Sequence, residues 1–224
     1  MNQTRVASRS RVSPHLGAAV LLALAGLLAG CFSLKPAKTE TRYFLLSAVR
    51  PAAETGQTNA SLAGCVVRLR PVQIADYLNT RSIAVRGGTN QVHFALFDCW
   101  AEPLDSGIRR VLAEDLRAEP GIRDVVTEET PPDTQRVYTV YVHVLACEGV
   151  NTNRSGSTAF EAVWEVTGSG SQGSASERGV FRSQPTAWKP GDYGELASQT
   201  SRALGELSGV LTEAIARLSH KGAG

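Results

Sequence analysis

Chemistry in a polypeptide needs a nucleophile beside a base, metal ligands at fixed spacing, or a backbone cradle for phosphate. This sequence holds partial versions of each. Gly168-Ser169-Gly170-Ser171-Gln172-Gly173 matches G-x-G-x-x-G and follows a strand-like run. A pyrophosphate cradle needs a helix directly after it, so that the helix N-terminus meets the negative charge. Another strand-like segment follows here, so the run reads as a hairpin loop. His93, His143 and His220 lie far apart, and the chain has no C-x-x-C or H-x-x-x-H. No metal site is expected, and His143 reads as a half-buried side chain on a strand. There is no G-x-S-x-G nucleophile elbow. Cys65, Cys99 and Cys147 have no evident base nearby and read as small buried apolar residues. Cys65 and Cys147, both at strand ends, are the preferred pair if an oxidising compartment allows a bridge. No catalytic residue and no cofactor is expected.

The cysteine with the clearest chemistry is Cys31. Arg5, Arg9 and Arg11 form a positive start, with no acid before Glu40. An unbroken apolar run follows from Leu16 to Leu28. At helical rise it spans roughly 20 Å, short of a hydrocarbon core. It is therefore the apolar region of an export leader. It ends in Leu28-Ala29-Gly30-Cys31, which resembles the bacterial lipobox. Small residues let a peptidase reach the backbone, and the cysteine thiol takes a diacylglyceryl group. Residues 1–30 are thus expected to be a lipoprotein signal peptide and 31–41 a lipidated tether. Loss of the leader removes three arginines and no acid, taking the formal charge from +2 to −1. Phe32 rather than aspartate follows the cysteine, which favours the outer membrane of a Gram-negative cell. Phe32 to Thr41 reaches at most ~35 Å, so the domain hangs close to its membrane.

Such a domain must be built from what remains. The chain of 224 residues is 42% apolar and 20% charged, which excludes disordered, collagen-like and polytopic membrane classes. Near-neutral charge gives no pull toward nucleic acid. Tyr43–Leu46 reads as a short buried strand, and Arg50–Ala63 has loop composition. Cys65–Leu69 is a strand closed by Pro71. Ser82–Arg86 and Gln91–Leu96 flank Gly87-Gly88-Thr89-Asn90, a hairpin signal. From Leu104 the spacing of Leu104, Ile108, Val111, Leu112 and Leu116 predicts a helix. Pro103 suits its first position and Pro120-Gly121 its end. Asp124–Val126 is a brief strand.

Val137–Cys147 carries the strongest strand alternation, with Val140, Val142, Val144 and Ala146 on one face. Phe160, Ala162, Trp164 and Val166 alternate likewise, and Val180–Gln184 makes a third strand. Gly/Ser-rich loops between these three predict an antiparallel meander. The chain closes with a helix from about Tyr193 to Leu218, opened by a capping box of Asp192 and Glu195. Tyr77, Phe94, Phe97 and Trp100 are expected mainly in the core. The expected fold is α/β: one sandwich domain over 42–220, with a mixed, mostly antiparallel sheet packed by two amphipathic helices.

The stretch from Val67 to Leu116 resembles the PqiC-like family of ABC-type transport auxiliary lipoproteins. The residues that carry the resemblance are Pro71-Val72, Tyr77-Leu78, Ile83 with Arg86, and Trp100-Ala101-Glu102-Pro103-Leu104. Thr41–Leu46 is similar to the family's start and the last helix to its end. Ala75 stands where the family often has proline, and the arginine after Tyr-Leu is displaced to Arg81. The resemblance implies an anticodon-binding-like sandwich, similar to the TolB N-terminal domain, with no catalytic residues. It implies a periplasmic lipoprotein working with an MCE-domain protein and ABC transporter subunits in lipid transport and membrane integrity; docking such a partner from the outer membrane favours a homo-oligomer forming one symmetric collar, because closed rings satisfy every interface. Tyr77, Leu78, Arg86, Trp100, Glu102 and Pro103 would be structural or partner-binding. A TolB-like envelope-assembly or cell-wall role is the alternative.

Overall fold

A computed structural model describes residues 40–49, 60–127, 136–152, 155–170 and 173–221. The leader, Cys31 and the tether as far as Thr39 lie outside the described residues, as does most of the loop from Arg50. A compact unit begins at Glu40. Its strands are β1 (Arg42–Phe44), β2 (Cys65–Leu69), β3 (Gln73–Ile74), β4 (Ser82–Gly88), β5 (Gln91–Trp100), β6 (Ile122–Val126), β7 (Val137–Thr152), β8 (Ser155–Gly170), β9 (Gly173–Arg182) and β10 (Ala187–Trp188). Its helices are α1 (Leu104–Arg117) and α2 (Tyr193–Lys221). All ten strands join one mixed sheet.

The β7–β8 hairpin is the spine. Its antiparallel ladder runs from Tyr138↔Gly168 to Thr152↔Ser155. With β8 along one edge of β7, the other edge is shared in succession by β2, β3 and β4, all parallel to it. Outside them lie β6 on β2, then β5 on β4 and β1 on β5. On the far edge of β8 sit β9 and β10. Both helices cover one face. There Leu104, Ile108, Leu112 and Leu116 of α1 and Leu204, Leu207, Leu211 and Ile215 of α2 bury against Val140, Val142, Val144, Ala162 and Val166. The expected two-layer α/β sandwich is therefore the fold.

Several local expectations are corrected. The strand at Tyr43–Leu46 is an edge strand, not a buried one: Tyr43 is 60% exposed and Leu45 57%, while Leu46 is buried. Outside residues 153–154 and 171–172, the Gly/Ser-rich stretches of the meander are strand rather than loop. β8 and β9 remain paired as far as Gly170↔Gly173, because a cross-strand partner supplies the ladder bonds that low propensity does not. A bulge between Val144 and Ala146 breaks the expected alternation. One extra residue reverses the side-chain phase, so Cys147 turns inward in place of Ala146. Pro103 is the residue before the first turn of α1, not within it. Half of the capping box forms: the Glu195 N–H donates to Asp192 Oδ1 at 3.1 Å, while the Glu195 carboxylate accepts from Gln199 and Arg202 instead.

The Cys65–Cys147 pairing is overturned. Both are free thiols. Val66 lies opposite Val137 in the β2–β7 ladder, so Cys147 sits about ten strand positions, on the order of 30 Å, further along β7. Burial pushes the Cys147 thiol up to about 12, well away from a reactive thiolate.

Gly149 is set by the Trp188 ring that lies over it. A Cβ there would meet ring atoms at 2.5 and 2.7 Å. The indole cannot yield freely: its Nε1–H donates to Asp192 O at 2.6 Å, and it packs on Tyr193 at 5.9 Å between ring centroids. Gly149→Ala is therefore expected to cost about 1–3 kcal/mol by overpacking, read as a lower urea midpoint at unchanged slope.

Candidate functional site

The motif residues occupy two structural junctions. The first closes the gap along β7 between the β3 and β4 pairings, at the bulge. A short 3-10 turn, Asp76–Leu78, bridges β3 to β4. The Tyr77 hydroxyl donates to the Leu145 carbonyl at 3.2 Å, satisfying the bulged residue. Leu78 is buried. Arg86 Nε donates to Glu148 Oε1 at 2.5 Å, and the Glu148 side chain is only 1% exposed. Burial first, and then the Glu148 carboxylate, hold the Tyr77 phenol above its usual range. Glu148 was missed by sequence reading. Its one signal was an acid directly after the apolar β7 run.

The second junction turns β5 into α1. Trp100 is 4% exposed. Its N–H donates to Arg81 O at 2.7 Å, and the Ala101 N–H donates to Phe44 O at 2.9 Å. Glu102 Oε1 accepts from Arg110 Nη2 at 2.6 Å, and the same Nη2 donates to Leu46 O at 2.8 Å. Pro103 O accepts the Gly107 N–H at 2.9 Å. A Cβ on Gly107 would lie 3.1 Å from Glu102 Oε1, so the small residue leaves the carboxylate its path over the helix. The aromatic set expected in the core is divided. Trp100 is buried and Tyr77 half-buried, whereas Phe94 is 44% and Phe97 42% exposed.

One further buried group stands apart from both junctions. Asp115 of α1 is 2% exposed, and neither of its carboxylate oxygens has a hydrogen-bond partner. Burial, then the nearby Glu114 and Glu119, raise it from 3.8 to about 6. The folded state therefore keeps this proton longer than the unfolded state. Stability should fall as pH rises from about 4 to about 6 and stay reduced above that range. Asp115→Asn is expected to stabilise by about 1–3 kcal/mol at pH 7.5 and by little at pH 4, as measured by urea denaturation.

The open face of the sheet, opposite the helices, carries a depression. It is a groove of about 430 Å³ lined by Pro71, Gln73, Tyr141, His143, Val163 and Val180, with Glu165 and Arg178 facing each other across β8 and β9. His143 is half-buried there, as expected. Among the described residues no group of three or more His, Cys, Asp or Glu is placed to hold a metal. No described helix is long and apolar enough to cross a membrane. The groove offers apolar walls and one ladder of opposite charges, a surface for contact.

The family model for the ABC-type transport auxiliary lipoprotein component matches residues 44–211, an interval that contains both junctions and the groove. The chain belongs to this family. No curated protein matches it. Among solved structures it is similar to a DUF330-family protein from Xanthomonas campestris, at 14% identity and TM-score 0.62, covering 81% of this chain and 99% of that one. It is also similar to an uncharacterised protein at 16% identity and TM-score 0.57, covering 79% and 99%. These likenesses show the fold. As an ABC-type transport auxiliary lipoprotein, the protein has an accessory part in a transport system and a membrane-anchored place in the cell envelope. The Tyr-Leu and Trp-Ala-Glu-Pro-Leu motifs of this auxiliary lipoprotein position its strands and first helix.

Proposed function

We propose that the protein is a non-enzymatic lipoprotein anchored to the outer membrane through Cys31, serving an MCE/ABC system that moves lipid between the membranes. In this reading several copies associate and receive the outer end of an elongated MCE-domain partner. The family match over 44–211 carries it. The open groove on the outer sheet face supplies a partner surface without catalytic groups. A lipid crossing water exposes acyl CH₂ groups at about 0.8 kcal/mol each, so transport needs a continuous conduit whose far end is held. A tether of at most ~35 Å keeps the domain from the inner membrane, so the partner must come to it.

Cys31→Ser is expected to yield unprocessed or soluble protein. Normal acylation and membrane fractionation of that variant would remove the anchor from the reading. Docking is tested by cross-linking the full chain in cells. Tyr141→Arg and Val180→Asp are expected to reduce capture of the MCE partner about tenfold at unchanged melting temperature. If the chain never cross-links to itself or to an MCE protein, and transport proceeds without it, the reading is wrong.

A further inference from the structure

Beyond the groove, exposed apolar side chains concentrate at one corner. Five of the eight large hydrophobic residues that are exposed among the described residues are Tyr43, Leu45, Phe94, Leu96 and Phe97. They lie on β1, on the residue that follows it and on β5. Between the pairs Ser82↔Cys99 and Ala84↔Phe94, β4 spends one residue while β5 spends four. The excess bulges outward. Ala95 and Asp98 turn in at 8% and 9% exposure, and Leu96 is left 84% exposed with Phe97 beside it. Parallel pairing sets Tyr43 opposite Cys99, which places Tyr43 diagonally next to Phe97 on one side of the sheet. Scattered apolar residues need no explanation, but five on neighbouring segments of one sheet region mark a contact surface.

We propose that this β1–β5 corner is a membrane-contact face that lies against the phospholipid leaflet holding the Cys31 anchor. The inference rests on the reading of Cys31 as acylated. Glu40, where the described residues begin, is nine residues from Cys31, a span of at most ~31 Å. Tyr43 lies three residues further on. A bilayer is the apolar phase that the tether brings to this corner in every molecule. The chemistry fits an interface. Tyrosine and phenylalanine sit at headgroup depth with leucine below, while exposed Arg81 adds positive charge toward anionic headgroups. Asp98, an acid at this corner, is neutralised by Arg42, whose Nε donates to it at 2.6 Å.

The test is photo-cross-linking of the full chain in cells, with benzoylphenylalanine in place of Leu96 and, as control, in place of exposed Ser176 on β9. Phospholipid adducts at position 96 at least tenfold above those at 176 are expected. Protein adducts at 96, equal lipid yields at both positions, or no lipid adduct at 96 overturn the inference. The mass of the peptide bearing Cys31, taken from the same sample, separates the two readings. An unacylated Cys31 removes the anchor and this inference with it. An acylated Cys31 with protein adducts at 96 overturns this inference alone.

Discussion

Trp100→Ala is expected to lower the stability by about 3–5 kcal/mol, which for a chain of this size is a fall in melting temperature of roughly 6–20 °C. The indole is 4% exposed and fills the corner where β5 turns into α1. Removing it leaves a cavity among Phe44, Leu46 and Leu104, which border the same small space. The backbone bonds of Trp100 and Ala101 to Arg81 and Phe44 tie β1, β4 and α1 together there, so the loss spreads beyond one side chain. Trp100→Phe should keep most of the stability. A Trp100→Ala variant that melts normally but loses a partner would make Trp100 a contact residue instead.

Arg86→Ala is the second large effect, at about 3–5 kcal/mol. Glu148 is buried at 1% side-chain exposure, with Arg86 Nε as its hydrogen-bonding cation at 2.5 Å. The same contact raises Arg86 above its ordinary value, the Glu148 hydrogen bond being the leading cause. Removing the cation strands a carboxylate away from water, which costs far more than the intact pair contributes. The double variant Arg86→Met with Glu148→Leu removes both charges at similar volume and should recover most of the deficit. Chemical denaturation of the two variants decides it. If the double variant is no more stable than Arg86→Ala, the stranded charge is not the cause.

The helices were legible because their apolar spacing is a local property. Leu104 to Leu116 and Leu196 to Leu218 state their buried faces without reference to the rest of the chain. β7 was legible as far as Val144 for the same reason. Beyond that point the partner decides. The bulge at Leu145 exists where β3 stops and β4 begins along one edge, and no pattern within β7 announces that handover. Gly168–Gly170 and Gly173–Ser176 are poor in strand formers and are strand all the same, because β8 and β9 bond to each other there. Glu148 became a buried ion only when the chain from β3 through Tyr77 returned Arg86 to its side. The exposure of Tyr43 likewise follows from its place on an edge strand, and that of Phe97 from the bulge in β5, neither of which their hydrophobicity reveals.

Because α2 follows every strand it packs on, the part of the inner sheet face that it covers stays bare until residues 193–221 have been made. Phe44 waits for Tyr193, with ring centroids 6.4 Å apart, and the Ser47 N–H waits for Ser201 Oγ, 154 residues later. Parallel pairings of distant strands are slow to close for the same reason. A ribosome adds roughly 5–20 residues per second, so the nascent chain spends several seconds with this face covered by α1 alone. The core closes only when Leu204 to Leu218 arrive.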